Sequence, residues 1–183
     1  MAEKYNSITV LDLELACWED GNTEKSDIIE IGVALLDVKK EQVVKSHSIY
    51  VRPREKISEY CTDLTGITQR MIDKQGKTLQ KAIEQLARHY PTAKTVATWG
   101  DGDLRVIKEQ CELYGVEYPY DNASHLNVAN MYHLEYKEKR KIKLEEALKK
   151  LGLEFLGRPH CGKDDAVNTA YLLAKLLWNS EGL

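Results

Sequence analysis

Apolar residues recur with the period of a strand in some segments of the chain and with that of a helix in others. The order of these segments predicts an α/β fold. The first run, SITVLDLEL at residues 7–15, is apolar at odd and even positions until its acidic end. That pattern is typical of a central strand buried on both faces. Two more strand-like runs follow at residues 27–38 and 42–53, separated by the polar residues KKE. Three consecutive strands with short links predict an antiparallel meander.

The rest of the chain alternates helical and strand-like patterns. A short apolar run at residues 94–99 predicts a fourth strand, and a weaker run within 124–132 a final one. Residues 52–77 are the least regular, and a segment of this length is usually functional or partly helical. The order of these strands and of the helices between them predicts an α/β domain with a mixed sheet. Apolar residues at helical spacing predict four helices, within 78–90, 103–115, 143–152 and 164–178.

Length and composition indicate an ordinary soluble domain. With 183 residues, 43% apolar and 30% charged, the chain is expected to form one domain over residues 1–183. No apolar run approaches the length of a membrane span, and the N-terminus has no export signal, so we expect a cytoplasmic protein. The four cysteines are far apart and have no CxxC spacing, which favours reduced thiols over a zinc cluster.

The charge balance restricts how the protein could hold a polyanion. A net charge of −3 argues against a large non-specific nucleic-acid footprint, so a polyanion would have to be held locally. The densest basic segment is YKEKRKIK at residues 136–143. We interpret it as a solvated loop leading into a helix, because runs of charge usually face solvent.

Two carboxylates interrupt the first strand. Asp12 and Glu14 are two residues apart, so on a strand both would point to the same face, about 6.6 Å apart. That separation can bracket two metal ions roughly 3.5 to 4 Å apart. Buried there without cations, the carboxylates would repel each other and lose solvation. The alternative is a strand that ends at Leu11 and leaves both acids in solvent.

Two further acidic sites stand where helices begin. In WGDGDL, Asp103 directly precedes a helical pattern and could be an ordinary N-cap, with Asp101 as its local rival for any catalytic role. In RPHCGKDDAVN, Asp164 and Asp165 open the last helix, and His160 lies in the loop before it. Asp165 lies beside the apolar stripe of that helix, so we expect it to point inward and Asp164 to cap.

Together and in this order, these positions resemble the DEDDh branch of the DnaQ-like 3′ to 5′ exonucleases. The similarity covers nearly the whole chain. The motifs LTGIT, WGDGDL and GRPHCGKDDAVN are especially similar to those of the branch that contains the histone-mRNA 3′-end exonuclease and its KapD-like relatives. This resemblance implies an RNase H-like fold, with a five-stranded mixed sheet flanked by helices.

The resemblance also implies the chemistry. His160 would be the general base, because a neutral imidazole can take a proton from water near neutral pH. Hydrolysis would release nucleoside 5′-monophosphates from single-stranded 3′ ends, with RNA favoured over DNA. Two divalent ions, Mg²⁺ or Mn²⁺, would be held by four carboxylates: Asp12, Glu14, Asp103 and Asp165.

A nucleotide pocket is implied by the same resemblance. Trp18 could stack on a base, although packing in the core explains a tryptophan equally well. Glu30 on the second predicted strand is explained as well by a surface or edge position as by a role in the site. The implied pocket residues are Leu15, Ala16, Cys17, Trp18, Thr65 and Gly66.

Three other functions remain open at this stage. The first is a DNA-trimming or proofreading-type exonuclease, and the second is a catalytically silent module that binds RNA or a partner protein. The third, an RNase H-type endonuclease, uses related carboxylates, but the spacing of His160 and Asp165 argues against it. Because the chain carries no extra nucleic-acid domain, we expect a partner protein to supply targeting.

Overall fold

The structure, a computed structural model, describes residues 6–21, 26–91 and 93–179. Its strands are β1 (Ser7–Leu15), β2 (Ile28–Asp37), β3 (Gln42–Tyr50), β4 (Thr95–Thr98) and β5 (Ser124–Asn127). They form one sheet in the order β3-β2-β1-β4-β5. β1, β2 and β3 pair antiparallel, which confirms the meander, and β4 and β5 add parallel to β1. The expected mixed sheet is therefore confirmed.

Seven helices flank this sheet within the described residues. Two of them lie in the irregular segment 52–77, which confirms that it is partly helical. α5 was not predicted: Asn127 ends β5 and at once caps α5, its side chain accepting the N–H of Asn130 at 2.9 Å. The helices are α1 (Glu59–Thr65), α2 (Gln69–Gln75), α3 (Leu79–His89), α4 (Gly102–Leu113), α5 (Val128–Tyr136), α6 (Leu144–Lys150) and α7 (Gly162–Asn179).

The two faces of β1 are buried in two different cores. Ile8 and Val10 belong to a cluster with α5, α6 and α7 on one side of the sheet. Leu11 and Leu13 belong to a cluster with α3 and α4 on the other. This explains why the first run is apolar at both parities. In the part of the chain that the structure describes, no helix combines the length and the apolarity needed to cross a bilayer.

Candidate active site

Asp12 and Glu14 lie on β1 near its carboxyl end, so the strand does not stop at Leu11. Both face the side of the sheet on which α7 packs. The β1–β2 register places Asp12 opposite Gly32 and Glu14 opposite Glu30. Asp12 is half-buried and Glu14 is buried.

A pair of glycines brings the start of α7 onto these strands. A Cβ atom at Gly32 would lie 1.8 Å from the carbonyl carbon of Gly162, so only glycine fits there. A Cβ atom at Gly162 would lie 3.3 Å from the carbonyl oxygen of Asp12. Because Asp12 and Gly32 face each other across the two strands, the first turn of α7 and its Asp165 lie beside Asp12.

Three carboxylates meet at this point. One oxygen each from Asp12, Glu14 and Asp165 lies within 4.8 Å of the other two. Asp103 is outside this group but close enough to raise the pKa of both Asp12 and Glu14. The backbone of Leu13 lies close enough to the Asp103 carboxylate to lower its pKa, against the larger effect of burial.

The alternative of Asp103 as an N-cap is wrong. Asp103 lies in the first turn of α4. Its carboxylate lies near Leu13 of β1, beyond Val10, the last β1 residue that pairs with β4. Asp101 occupies the N-cap position, and its side chain makes no capping hydrogen bond. Asp101 is exposed and lies 3.9 Å from His125, so the structure separates it from the three clustered acids.

Burial raises the pKa of every carboxylate here. It raises the pKa of Glu14 to about 8, that of Asp165 to about 7 and that of Asp103 to about 6. The pKa of Asp12 lies well above its ordinary value, first because of burial and then because of the neighbouring acids. Cations would relieve both effects, and carboxylate oxygens are the ligands that hard divalent ions prefer. The donor set therefore fits such ions.

We expect divalent ions to stabilise the protein more at about pH 8 than at about pH 6. The folded carboxyls have raised pKa values, so the metal-free folded chain binds more protons than the unfolded chain between about pH 4 and pH 8. The stability of the metal-free protein therefore falls as the pH rises through this window. At the higher pH, protons also compete less with the metal for the carboxylates. The measurement is the rise in Tm on adding Mn²⁺ or Mg²⁺. Sodium chloride at equal ionic strength is the control, and an equal rise at both pH values would contradict the expectation.

Glu30, not Asp164, binds the first N–H groups of α7, which corrects the expected capping role of Asp164 and excludes the surface or edge alternative for Glu30. Glu30 is 1% exposed, so it is neither a surface nor an edge residue. Its carboxylate accepts the backbone N–H of Gly162 at 3.0 Å and that of Lys163 at 3.3 Å. Asp164 instead accepts the N–H of Arg158 at 3.0 Å, in the preceding loop. A charged residue inside an apolar strand, followed by a glycine, was the sequence signal for this close contact.

The loop before α7 carries His160 at the edge of the acid group. His160 is exposed and has a left-handed backbone with φ 59°. The next residue, Cys161, donates its N–H to the Asp165 carboxylate at 3.1 Å. The buried Asn168 bonds both backbone groups of Leu156. These contacts fix both ends of the loop and leave the imidazole ring in solvent.

Asp12, Glu14, Asp165 and His160 line one cleft with a volume of about 360 Å³. Sequence reasoning missed the opposite wall of this cleft. Trp99 follows β4 directly, and Lys143 and Glu145 lie at the start of α6. Their signals were an aromatic residue beside WGDGDL and a basic segment that had been interpreted as solvated. The other lining residues are Leu13, Ile142, Leu144 and Pro159.

The residues of the implied nucleotide pocket lie together on the α1 side of Glu14. Ala16 is 1% exposed and Thr65 is 4% exposed, and the Thr65 hydroxyl donates to the carbonyl of Cys61 at 2.8 Å. Their side chains therefore serve packing. Trp18 is half-buried against the same small core, which leaves part of its ring accessible. Leu15, Cys17 and Gly66 are also half-buried.

Arg158 links this region to the His160 loop, and sequence reasoning did not single it out. Its guanidinium donates to the carbonyls of Asp63 at 2.8 Å and Leu64 at 3.2 Å, at the end of α1. A Cβ atom at Gly66 would lie 1.8 Å from the same guanidinium. The nearby positive charge of Arg158 also lowers the pKa of Glu14, against the larger effect of burial.

Comparison with known proteins identifies relatives along nearly the whole chain. The RNase_T model, described as an exonuclease, matches residues 9–173. The 3'-5' exoribonuclease 1 of Homo sapiens is 33% identical over 185 residues, which cover 94% of this chain and 53% of that protein. ERI1 exoribonuclease 2 of Xenopus laevis is 31% identical over 198 residues, covering 94% of this chain and 28% of that protein. The chain thus spans about half or less of these relatives.

Solved structures agree with the fold. The nuclease domain of 3'hExo, a DEDDh family member bound to rAMP, has a TM-score of 0.88 at 30% identity, covering 100% of this chain and 96% of that one. A 3'-exonuclease that recognises the 3' end of the histone mRNA stem-loop has a TM-score of 0.87 at 30% identity, covering 98% and 84%. The expected RNase H-like fold with its five-stranded mixed sheet is therefore confirmed.

Proposed function

Because the chain belongs to the RNase_T family of exonucleases, as the sequence resemblance indicated, we propose that it is a metal-dependent 3′ to 5′ exonuclease. The observation that carries this proposal is the group of three carboxylates within 4.8 Å of one another, beside Asp103 and at the foot of a cleft. Buried acids with raised pKa values at the end of a strand are poorly explained by stability alone.

Four carboxylates are assigned to two divalent ions, Mg²⁺ or Mn²⁺. Asp12, Glu14 and Asp165 would hold them from β1 and α7, and Asp103 would complete the set from α4. When bound, such ions neutralise the phosphate, favour ionisation of a water molecule and stabilise the leaving 3′ oxygen. The chain itself supplies the geometry: two glycines and the capping carboxylate of Glu30 fix α7 against β1.

His160 is assigned as the general base. Its ring is exposed at the mouth of the cleft, where it can meet an attacking water, and its loop is fixed at both ends. The water that loses its proton to His160 would attack the phosphorus, the P–O3′ bond would break, and the 3′ oxygen would take up a proton from solvent. The products would be a nucleoside 5′-monophosphate and a shortened chain with a free 3′ hydroxyl. General-base catalysis of this kind contributes about 10² to 10⁴ in rate.

Single-stranded RNA is the proposed substrate. The two curated relatives compared above, at 31% and 33% identity, are named as exoribonucleases, and one solved relative is described as recognising the 3′ end of an RNA. The partly accessible ring of Trp18 and the half-buried Gly66 would receive the terminal nucleotide. We place the activity in the cytoplasm, with a partner protein that selects the RNA.

Digestion of matched oligonucleotides tests this function. With Mn²⁺ or Mg²⁺, we expect wild-type protein to shorten single-stranded RNA from its 3′ end faster than DNA of the same sequence. The expected product is nucleoside 5′-monophosphate without intermediate-size internal fragments. In the His160→Gln variant the proton acceptor is removed but the metal ligands stay, so kcat should fall by about 10²-fold or more.

Each alternative function predicts a different outcome of the same digestion. Faster loss of DNA than of RNA would assign the DNA-trimming activity. Binding of the oligonucleotide with no release of mononucleotide would assign the silent binding module. Unchanged digestion by His160→Gln would remove the assigned base.

A further inference from the structure

The surroundings of the cleft differ in charge on its two sides. Beyond the cleft on the α1 side, the exposed charged side chains include the acids Glu19, Glu59 and Asp63 and one cation, Arg158. On the opposite side, the cleft is lined by Lys143 and Glu145, and Lys143 ends the basic segment KEKRKIK at residues 137–143. The denser positive charge for a polyanion that reaches the acids therefore lies on the side of this segment.

Four lysines of this segment are not neutralised by acidic neighbours. We call Lys137, Lys139, Lys141 and Lys143 the basic strip; all four are exposed. Two of the acids around the strip are engaged by other cations: Arg140 binds Glu146 at 2.5 Å, and Lys150 binds Glu138. Within the described residues, none of the four strip lysines has an ion-pair partner within 4.0 Å.

The strip is anchored to the protein at the point where it meets the cleft. Ile142 is 7% exposed and belongs to the core under α6 and α7, while Lys141 and Lys143 on either side of it are exposed. Both ammonium groups are therefore held outward from a fixed backbone. The segment also lies on the β4 side of β1, whereas α1 packs against Ile29 and Tyr50 of β2 and β3. Strip and α1 are thus on opposite sides of the acids.

We propose that the basic strip binds the phosphates of the nucleotides on the 5′ side of the scissile bond. This proposal rests on the proposed function and adds the direction in which the RNA strand leaves the cleft. The nucleotide beyond the scissile bond at a 3′ end carries no further phosphate, so the acids on the α1 side do not repel it. The rest of the strand carries one negative charge per nucleotide, and it follows the lysines away from the cleft.

The test compares substrates of different length. Lys137, Lys139 and Lys141 are replaced together by Gln, which removes charge and keeps most of the side-chain length; Lys143 stays because it lines the cleft. The matched control replaces Lys74, Lys81 and Lys94 by Gln, three exposed lysines that do not line the cleft. The readout is kcat/KM on a 20-nucleotide RNA divided by kcat/KM on a dinucleotide, whose one phosphodiester is the scissile bond.

We expect this ratio to fall about tenfold in the strip variant and to stay constant in the control. For single strands, the logarithm of affinity falls with the logarithm of salt concentration by about 0.7 per neutralised phosphate. Three lost contacts should therefore reduce this slope by about 2, measured by RNA binding to a catalytically inactive Asp12→Asn background. Equal ratios in the two triple variants, or an equal loss on both substrates, would overturn the proposal.

Failure of the proposed function gives a different result. If wild-type protein digests neither substrate, the exonuclease assignment fails, but binding of the 20-nucleotide RNA still reports on the strip. A salt slope that the strip substitutions do not change would overturn the strip whether or not the protein is a nuclease.

Discussion

Replacing Asp12 by Asn is expected to abolish nuclease activity and, at the same time, to make the metal-free protein more stable. Asp12 lies at the centre of the acid group, and its pKa is raised by burial and by its neighbours. Removing one of the charges assigned to the metal ions should cost about 4 kcal/mol of transition-state stabilisation, which is about 10³-fold in kcat. The near-isosteric amide removes the buried repulsion, so the free energy of unfolding at about pH 8 should increase.

The size of the expected stability gain depends on pH and can be checked. At about pH 4, Asp12 is protonated in the folded chain and partly protonated in the unfolded chain, so the gain should nearly vanish there. Urea unfolding with EDTA at the two pH values measures it. Asp101→Asn is the matched control, because Asp101 is exposed and outside the acid group. Activity near wild type in Asp12→Asn, or a loss of stability at pH 8, would contradict this account.

Gly32→Ala should be among the most destabilising single substitutions in the protein. The new methyl group would lie 1.8 Å from the carbonyl carbon and 2.0 Å from the carbonyl oxygen of Gly162. Both are backbone atoms that cannot turn away, so α7 must lift from β2 together with Asp165. We expect a loss of at least about 3 kcal/mol in the free energy of unfolding, measured in urea, with loss of activity.

Gly102→Ala provides the control for this substitution. Gly102 is the first residue of α4, and a Cβ atom there would meet no heavy atom within 4 Å. Alanine favours the helix over glycine, so stability should stay constant or increase by up to about 1 kcal/mol. Similar losses in both variants would show that the close contact between β2 and α7 does not explain the effect at Gly32.

Much of the fold could be predicted because hydrophobic patterning over long segments dominates it. The bounds of β1 matched the predicted run, since the strand is buried on both faces and has no charged residue before Asp12. α5 was missed because the strand-like run and the helix share Asn127 without a loop between them. Local patterns cannot show a change of period that occurs within one residue.

The clustered carboxylates were predictable by type, but the contacts that hold them were not. Asp12, Glu14 and Asp165 can be recognised in the sequence because they are charged residues inside or beside apolar patterns. The capping role of Glu30 and the link from Arg158 to the end of α1 join residues more than 90 positions apart. Such pairings depend on the tertiary arrangement of β2 and α7, which a single sequence does not state.

The contact of Glu30 with α7 also determines when this part of the growing chain can fold. Glu30 meets its backbone donors 132 and 133 residues later, so its carboxylate has no N–H partners there until the last helix has been synthesised. Parts of a protein that pack together fold together during synthesis, and α7 cannot join the sheet before it leaves the ribosome. Until then Asp12 and Glu14 lack Asp165. Under the proposed function, the nascent chain cannot hydrolyse RNA before α7 has packed on β1 and β2.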